Sequence, residues 1–176
     1  MNLQKITLIS FGYFNNDFLR NIAEKIHNEF FINIQIKEGH LDLSDFYDPS
    51  RRQYDANKLL HYLEKHLSTD DSKTIGLFNV DLFIPIFTYI FGQAFLNGRT
   101  GIASVYRLSN ERYGIEADAE LMLERFAKEI IHEIGHAFGL KHCHVSDCVM
   151  RSGTYVEDID QKNSGFCLAC KDLLSS

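Results

Sequence analysis

The sequence predicts a mixed α/β (α+β) fold. It combines a twisted mixed sheet, one long helix carrying the functional groups, and a small C-terminal subdomain rich in cysteine. Three observations carry this expectation. Strand-like alternation and apolar residues at helical spacing follow one another through the first hundred residues. One long amphipathic stretch then contains His132-Glu133-x-x-His136. All four cysteines (Cys143, Cys148, Cys167 and Cys170) fall after it.

Residues 5–11 suit a strand ended by Gly12, and Asn15, Asn16 and Asp17 offer an N-cap for the helix that follows. That helix carries the stripe Phe18, Leu19, Ile22, Ala23, Ile26 and Phe30. Residues 31–36 alternate like a half-buried strand, closed by Gly39. Residues 41–50, rich in Asp and containing Pro49, read as a loop or short edge. A second helix is expected over about 53–67, with Leu59, Leu60, Leu63 and Leu67 inward and His61 and His66 outward. After a turn, residues 73–80 form a strongly apolar strand expected at the sheet centre, and Asp81 and Pro85 interrupt the apolar run behind it. Residues 86–95 and 101–108 read as two strands joined by a hairpin at Asn97-Gly98. The long helix is expected over 116–138. Its acidic first turn (Glu116, Asp118, Glu120) suits the positive end of the helix dipole, and Leu121, Met122, Phe126, Ile130, Ile131 and Ile134 anchor it.

Composition narrows the function classes. With 176 residues, 45% of them hydrophobic and 24% charged, the chain suits one ordinary globular domain. A net charge of −6 gives no electrostatic reason to expect nucleic acid or an anionic membrane as partner. No apolar run is long enough for a membrane span, and the first residues lack the features of a secretory signal. A cytoplasmic location with reduced thiols is the expectation.

The chemistry is concentrated between His132 and Met150. Histidines four apart present both imidazoles on one helical face, with Glu133 beside them. Gly139 sits where a helix would end in a left-handed turn, which sends the chain back and delivers His142 as a third nitrogen ligand. Three protein ligands and an open position describe a catalytic zinc, whereas a structural zinc is closed by four. Gly139, His142 and then Met150 extend the motif beyond what two stray histidines would show. The cysteines form C-x4-C and then C-x2-C. In a reducing compartment this is a candidate four-thiolate zinc site, two disulfides or four buried thiols being the alternatives. Neighbouring side chains in an extended stretch point to opposite sides, so His142 and Cys143 suit two different metals.

This stretch resembles the metzincin metalloproteases, and with its four cysteines it resembles the archaemetzincins. The matching residues are His132, Glu133, His136, Gly139, His142, Cys143, Cys148, Met150, Cys167 and Cys170. The resemblance implies one metzincin-like domain over 1–176, an upper part to about 139 and a lower part from about 140. It implies two zinc ions, a catalytic one on His132, His136 and His142 and a structural one on the cysteines, with Met150 as the Met-turn beneath the histidines. Phe91, Gly92, Gln93 and Ala94 are the segment expected to line the substrate cleft as an edge strand. Tyr155 is a candidate to assist an oxyanion, and His144 is expected to be exposed or to stand behind the ligands.

The expected activity is zinc-dependent hydrolysis of small peptides, or aminopeptidase action, with Glu133 as general base toward a zinc-activated water. A deformylase-like reading lacks its upstream cysteine ligand, and a three-histidine zinc ribonuclease would lack Glu133 and need a basic track. The remaining alternative is a zinc-stabilised binding protein with little or no catalysis, which would not require Glu133. Oligomeric state is not legible.

Overall fold

Side-chain alternation along the first strand sorts residues between two cores. The structure is a computed structural model that describes residues 5–175. In Lys5–Phe11 (β1), Ile6 and Leu8 face one apolar cluster while Ile9 and Phe11 face the other. A strand buried on both faces belongs inside a parallel sheet covered by helices. The sheet order is β2-β1-β5-β8-β7, formed by Asn33–Gly39 (β2), Ser72–Phe78 (β5), Gly92–Ala94 (β7) and Thr100–Ser104 (β8) around β1. Strands β2, β1, β5 and β8 run parallel, and β7 closes the row antiparallel to β8. A smaller three-stranded sheet joins Tyr47–Asp48 (β3), Gln53–Asp55 (β4) and Leu82–Phe83 (β6).

Asn16–Phe30 (α1) starts where the Asn15 side chain accepts from the N–H groups of Asp17 and Phe18, and it buries Leu19, Ile22 and Ile26. Ala56–His66 (α2), capped by Asp55, buries Leu59, Leu60 and Leu63 against the opposite face of the sheet. Each such leucine stabilises the fold by about 1.5–3 kcal/mol relative to exposure. Ala119–Ala137 (α3) lies on the α1 side and packs against β8 and β7. Two short helices follow, Val156–Gln161 (α4) and Leu168–Leu174 (α5).

Several element boundaries differ from expectation, each for a local reason. Residues 53–55 are strand instead of helix, because Asp55 caps α2 and Tyr54 donates to Asp81 O. The second strand starts at Asn33, since Phe31 takes a left-handed C-cap conformation with φ 55°. Residues 86–91 are not strand. Arg51 donates to Phe87 O and Gln53 to Thr88 O, Ile86 is 79% exposed, and the backbone rejoins the sheets at its end, with Ile90 N donating to Leu82 O and Phe91 O accepting from Ser104 N. Residues 105–108 turn away after β8, with Leu108 N donating to Val105 O. The long helix starts at Ala119, three residues later than expected, where Asp118 accepts from Leu121 N.

Candidate active site

The last two turns of α3 carry His132, Glu133 and His136 on its buried flank. Gly139, at φ 96°, ends the helix: Leu140 N returns to Gly135 O and Gly139 N to His136 O. This left-handed C-cap is one a residue without Cβ adopts cheaply. It reverses the chain so that His142 meets the helical pair. The rings stand 4.6 Å (His132 to His136), 5.3 Å (His132 to His142) and 4.9 Å (His136 to His142) apart, centroid to centroid. Candidate ligand nitrogens on all three lie within 4.8 Å of one another.

The Nδ1 atoms of the two helical histidines are spoken for. That of His132 bonds Val149 O at 2.8 Å and that of His136 bonds Leu140 O at 2.7 Å. A carbonyl on Nδ1 holds its proton there and leaves the Nε2 lone pair free for a metal. The two Nε2 atoms are 3.0 Å apart, close to the edge of about 3.3 Å that Zn–N bonds of about 2.0–2.1 Å give in a tetrahedron. Burial pushes all three imidazoles toward the neutral form a metal requires, His132 furthest.

Glu133 is 3% exposed, and its Oε2 has no hydrogen-bond partner among the described residues. An orphaned buried carboxylate oxygen is costly unless something else occupies the site. Burial, and then the neighbouring Glu129, raise its pKa well above the usual carboxylate range. Glu129, one turn earlier on α3, is buried beside it, and burial raises its pKa as well. The edge strand comes close here: a Cβ on Gly92 would stand 2.9 Å from Glu133 Oε1 and 2.8 Å from Ile102 O. Gly92 thus lets β7 approach the carboxylate.

The four cysteines gather on the far side of the same backbone segment. Cys143 Sγ lies 3.7 Å from Cys167 Sγ, and Cys148 Sγ 3.8 Å from Cys170 Sγ, with no disulfide formed. Four thiolates at about 2.3 Å from one zinc have edges of about 3.8 Å, so the cage fits. The backbone N–H of Cys170 leads in pulling the Cys167 thiol down to about 7. Cys143 N donates to Met150 O and Val149 N to Gly165 O, which lays Met150, fully buried, beneath α3.

These residues border one cleft of about 650 Å³, whose lining includes His132, Glu133, His136 and His142 and runs along Phe91, Gly92, Gln93 and Ala94. Among the described residues strand β7 pairs only with β8 and is the last strand of the sheet. Phe91 itself is buried in the core, so the strand's three residues after it form the exposed edge. Tyr155 is 62% exposed and absent from the lining, where Ser152, Gly153 and Thr154 stand in its stead. His144 is exposed. Sequence reasoning passed over Glu129, Lys162 and Tyr89, which also line the cleft. Glu129 sits four residues before Glu133, a spacing that points to it; Lys162 and Tyr89 lie in aperiodic segments that carry no such signal.

Comparison with known proteins is consistent across the chain. A family model described as peptidase family M54 matches residues 15–176. The archaemetzincin of Pyrococcus horikoshii is 36% identical over 159 residues, covering 87% of this chain and 83% of that one. The archaemetzincin of Saccharolobus solfataricus is 31% identical over 173 residues, covering 97% and 92%. Among solved structures, the Methanopyrus kandleri archaemetzincin superposes with a TM-score of 0.85 at 32% identity, covering 98% of this chain and 93% of that one. A zinc-dependent peptidase from Methanocorpusculum labreanum gives 0.86 at 29% identity, covering 96% and 99%.

Proposed function

This chain belongs to the archaemetzincins, peptidase family M54, and is a zinc metallopeptidase; on that premise we propose that it cleaves short peptides, amino-terminal trimming included, with Glu133 as its general base. One observation carries the reading: three imidazoles bring candidate ligand nitrogens within 4.8 Å of one another beside a buried carboxylate whose Oε2 has no partner among the described residues. His132, His136 and His142 would hold the catalytic zinc, which supplies an acidified water and a Lewis acid for the developing oxyanion.

The protein's own groups divide the remaining work. Glu133 accepts the proton of the attacking water and returns it to the leaving nitrogen, a task suited to a carboxylate whose pKa burial raises well above the usual range. The Val149 and Leu140 carbonyls keep two imidazoles in one tautomer and one orientation. The free edge of β7 offers backbone N–H and C=O groups to an extended peptide, and Gly92 keeps that peptide close to Glu133. Met150 is the apolar floor. Cys143, Cys148, Cys167 and Cys170 would hold a second, structural zinc, making two per chain, and reduced thiols suit a cytoplasmic setting. In this reading residues 1–176 form one domain divided by the cleft.

The test is Glu133→Gln in zinc-loaded protein. Turnover of a peptide panel falls by about 10²–10⁴-fold while both metals stay bound. Retained turnover would dispose of the assignment, and turnover insensitive to chelator would dispose of the zinc chemistry itself.

A further inference from the structure

The mechanism leaves one charged side chain in the cleft without a task. Lys162 is 3% exposed yet lines the cleft beside the histidines. Its Nζ donates to Arg151 O at 3.0 Å and lies 3.5 Å from His132 Nδ1. That second approach is not a donation, because Nδ1 carries its own proton to Val149 O when Nε2 faces a metal. An ammonium has three donors, so two are unspent. Glu129 and Glu133 act on it through space, and no ion pair to Lys162 forms among the described residues.

A buried ammonium so thinly partnered is costly unless a further acceptor meets it. Its surroundings suit a ligand. Tyr89, Ile159 and Ser152–Thr154 line the same cleft. Tyr89 is held in place: Arg107 stacks 4.1 Å over its ring and is locked by two hydrogen bonds to Asp81, at 2.5 and 2.6 Å. Glu129 and Glu133 line the same cleft, and a metal on the histidines would add positive charge to it.

We propose that Lys162 is a specificity-determining residue that receives a carboxylate on the substrate residue flanking the scissile bond. The carboxylate belongs either to an aspartate or glutamate side chain or to the free carboxyl terminus of a short peptide. Its closeness to His132 limits the reach to that flanking residue. This rests on the peptidase reading and deepens it by naming a substrate class.

The experiment uses the full-length, zinc-loaded chain carrying Glu133→Gln, which holds peptide without turning it over, and calorimetry on matched peptides. One pair differs as Glu or Gln at each flanking position, the other as free acid or carboxy-terminal amide. The carboxylate member of at least one pair binds roughly tenfold tighter or better. Lys162→Met removes that preference, Lys162→Arg keeps most of it, and kcat/KM ratios in the Glu133 protein follow the same order. A preference in the first pair alone assigns the side chain, and in the second alone the terminus. Equal binding of both members of both pairs overturns the proposal, as does a preference that survives Lys162→Met; Lys162→Gln serves if Lys162→Met does not fold. Cleavage without charge preference sinks this inference alone, and charge preference without any cleavage sinks the peptidase reading alone.

Discussion

Gly135 and Met150 are in contact across the floor of the site: a Cβ on Gly135 would stand 2.5 Å from Met150 Sδ and 3.3 Å from the Phe166 ring. The helix that carries the histidines therefore rests directly on the methionine behind them. Met150 is fully buried and Phe166 nearly so, which leaves the thioether little room to swing aside.

Gly135→Ala is accordingly expected to overpack that floor. Helix propensity alone would favour alanine by about 1 kcal/mol, yet overpacking costs about 1–3 kcal/mol. The net effect expected is a lower Tm, by a few degrees, with weaker zinc retention at the histidines because the ligand-bearing turn is lifted. Differential scanning calorimetry and zinc titration read both; a higher Tm with unchanged zinc affinity would contradict the contact.

The cysteine cage predicts a separable metal. Cys170→Ser lowers metal content from two zinc ions per chain to one and lowers the melting temperature, because it opens a cluster that ties Cys143 and Cys148 to α5. Glu133 and the three histidines are untouched, so the remaining zinc resides at the cleft. Elemental analysis alongside a melting curve checks both halves. Unchanged zinc content and unchanged melting in this variant would mean that the thiols hold no metal.

A buried ion pair moors the ligand-bearing helix to the C-terminal part. Arg125 on α3 makes two 2.7 Å hydrogen bonds to Asp160 of α4 and donates to Leu108 O at 2.8 Å. Arg125 is 5% exposed, so Asp160→Ala leaves a buried guanidinium short of its carboxylate. Removing one partner of a buried pair costs about 3–5 kcal/mol, and the partial exposure of Asp160 brings the expectation to about 2–3 kcal/mol. Urea denaturation of the zinc-loaded protein measures it; a loss below about 0.5 kcal/mol would show the pair to be surface-like.

Proton competition at the histidines has a defined sign. Burial lowers the pKa of His132, His136 and His142 below 6.5, so protonation begins only as pH falls beneath the ordinary imidazole range. Zinc occupancy at this site is therefore expected to be flat from pH 8 to about 6.5 and to decline below that. A chelator competition series in pH steps, run on Cys170→Ser to isolate this site, would refute the burial argument if occupancy already fell between pH 8 and 7.

The sequence by itself determined the parts whose signals are local. His132, Glu133, His136, Gly139 and His142 are legible because a helix repeats every 3.6 residues and a left-handed cap favours glycine. Residues 5–11 read as a strand, and the apolar run of β5, which lies between β1 and β8, likewise announced its central place in the sheet. Strand length around the cleft was not legible. Residues 86–91 have the apolar composition of a strand, but side chains of Arg51 and Gln53, more than thirty residues away, take the Phe87 and Thr88 carbonyls a ladder would need. Only the tertiary structure placed Lys162, 30 residues after His132, against that histidine's ring, and set Gly92 and Glu129 against Glu133. Periodicity reports which face a residue occupies on its own element. Which residue of another element meets it there is decided by how the elements pack, and no spacing along the chain encodes that.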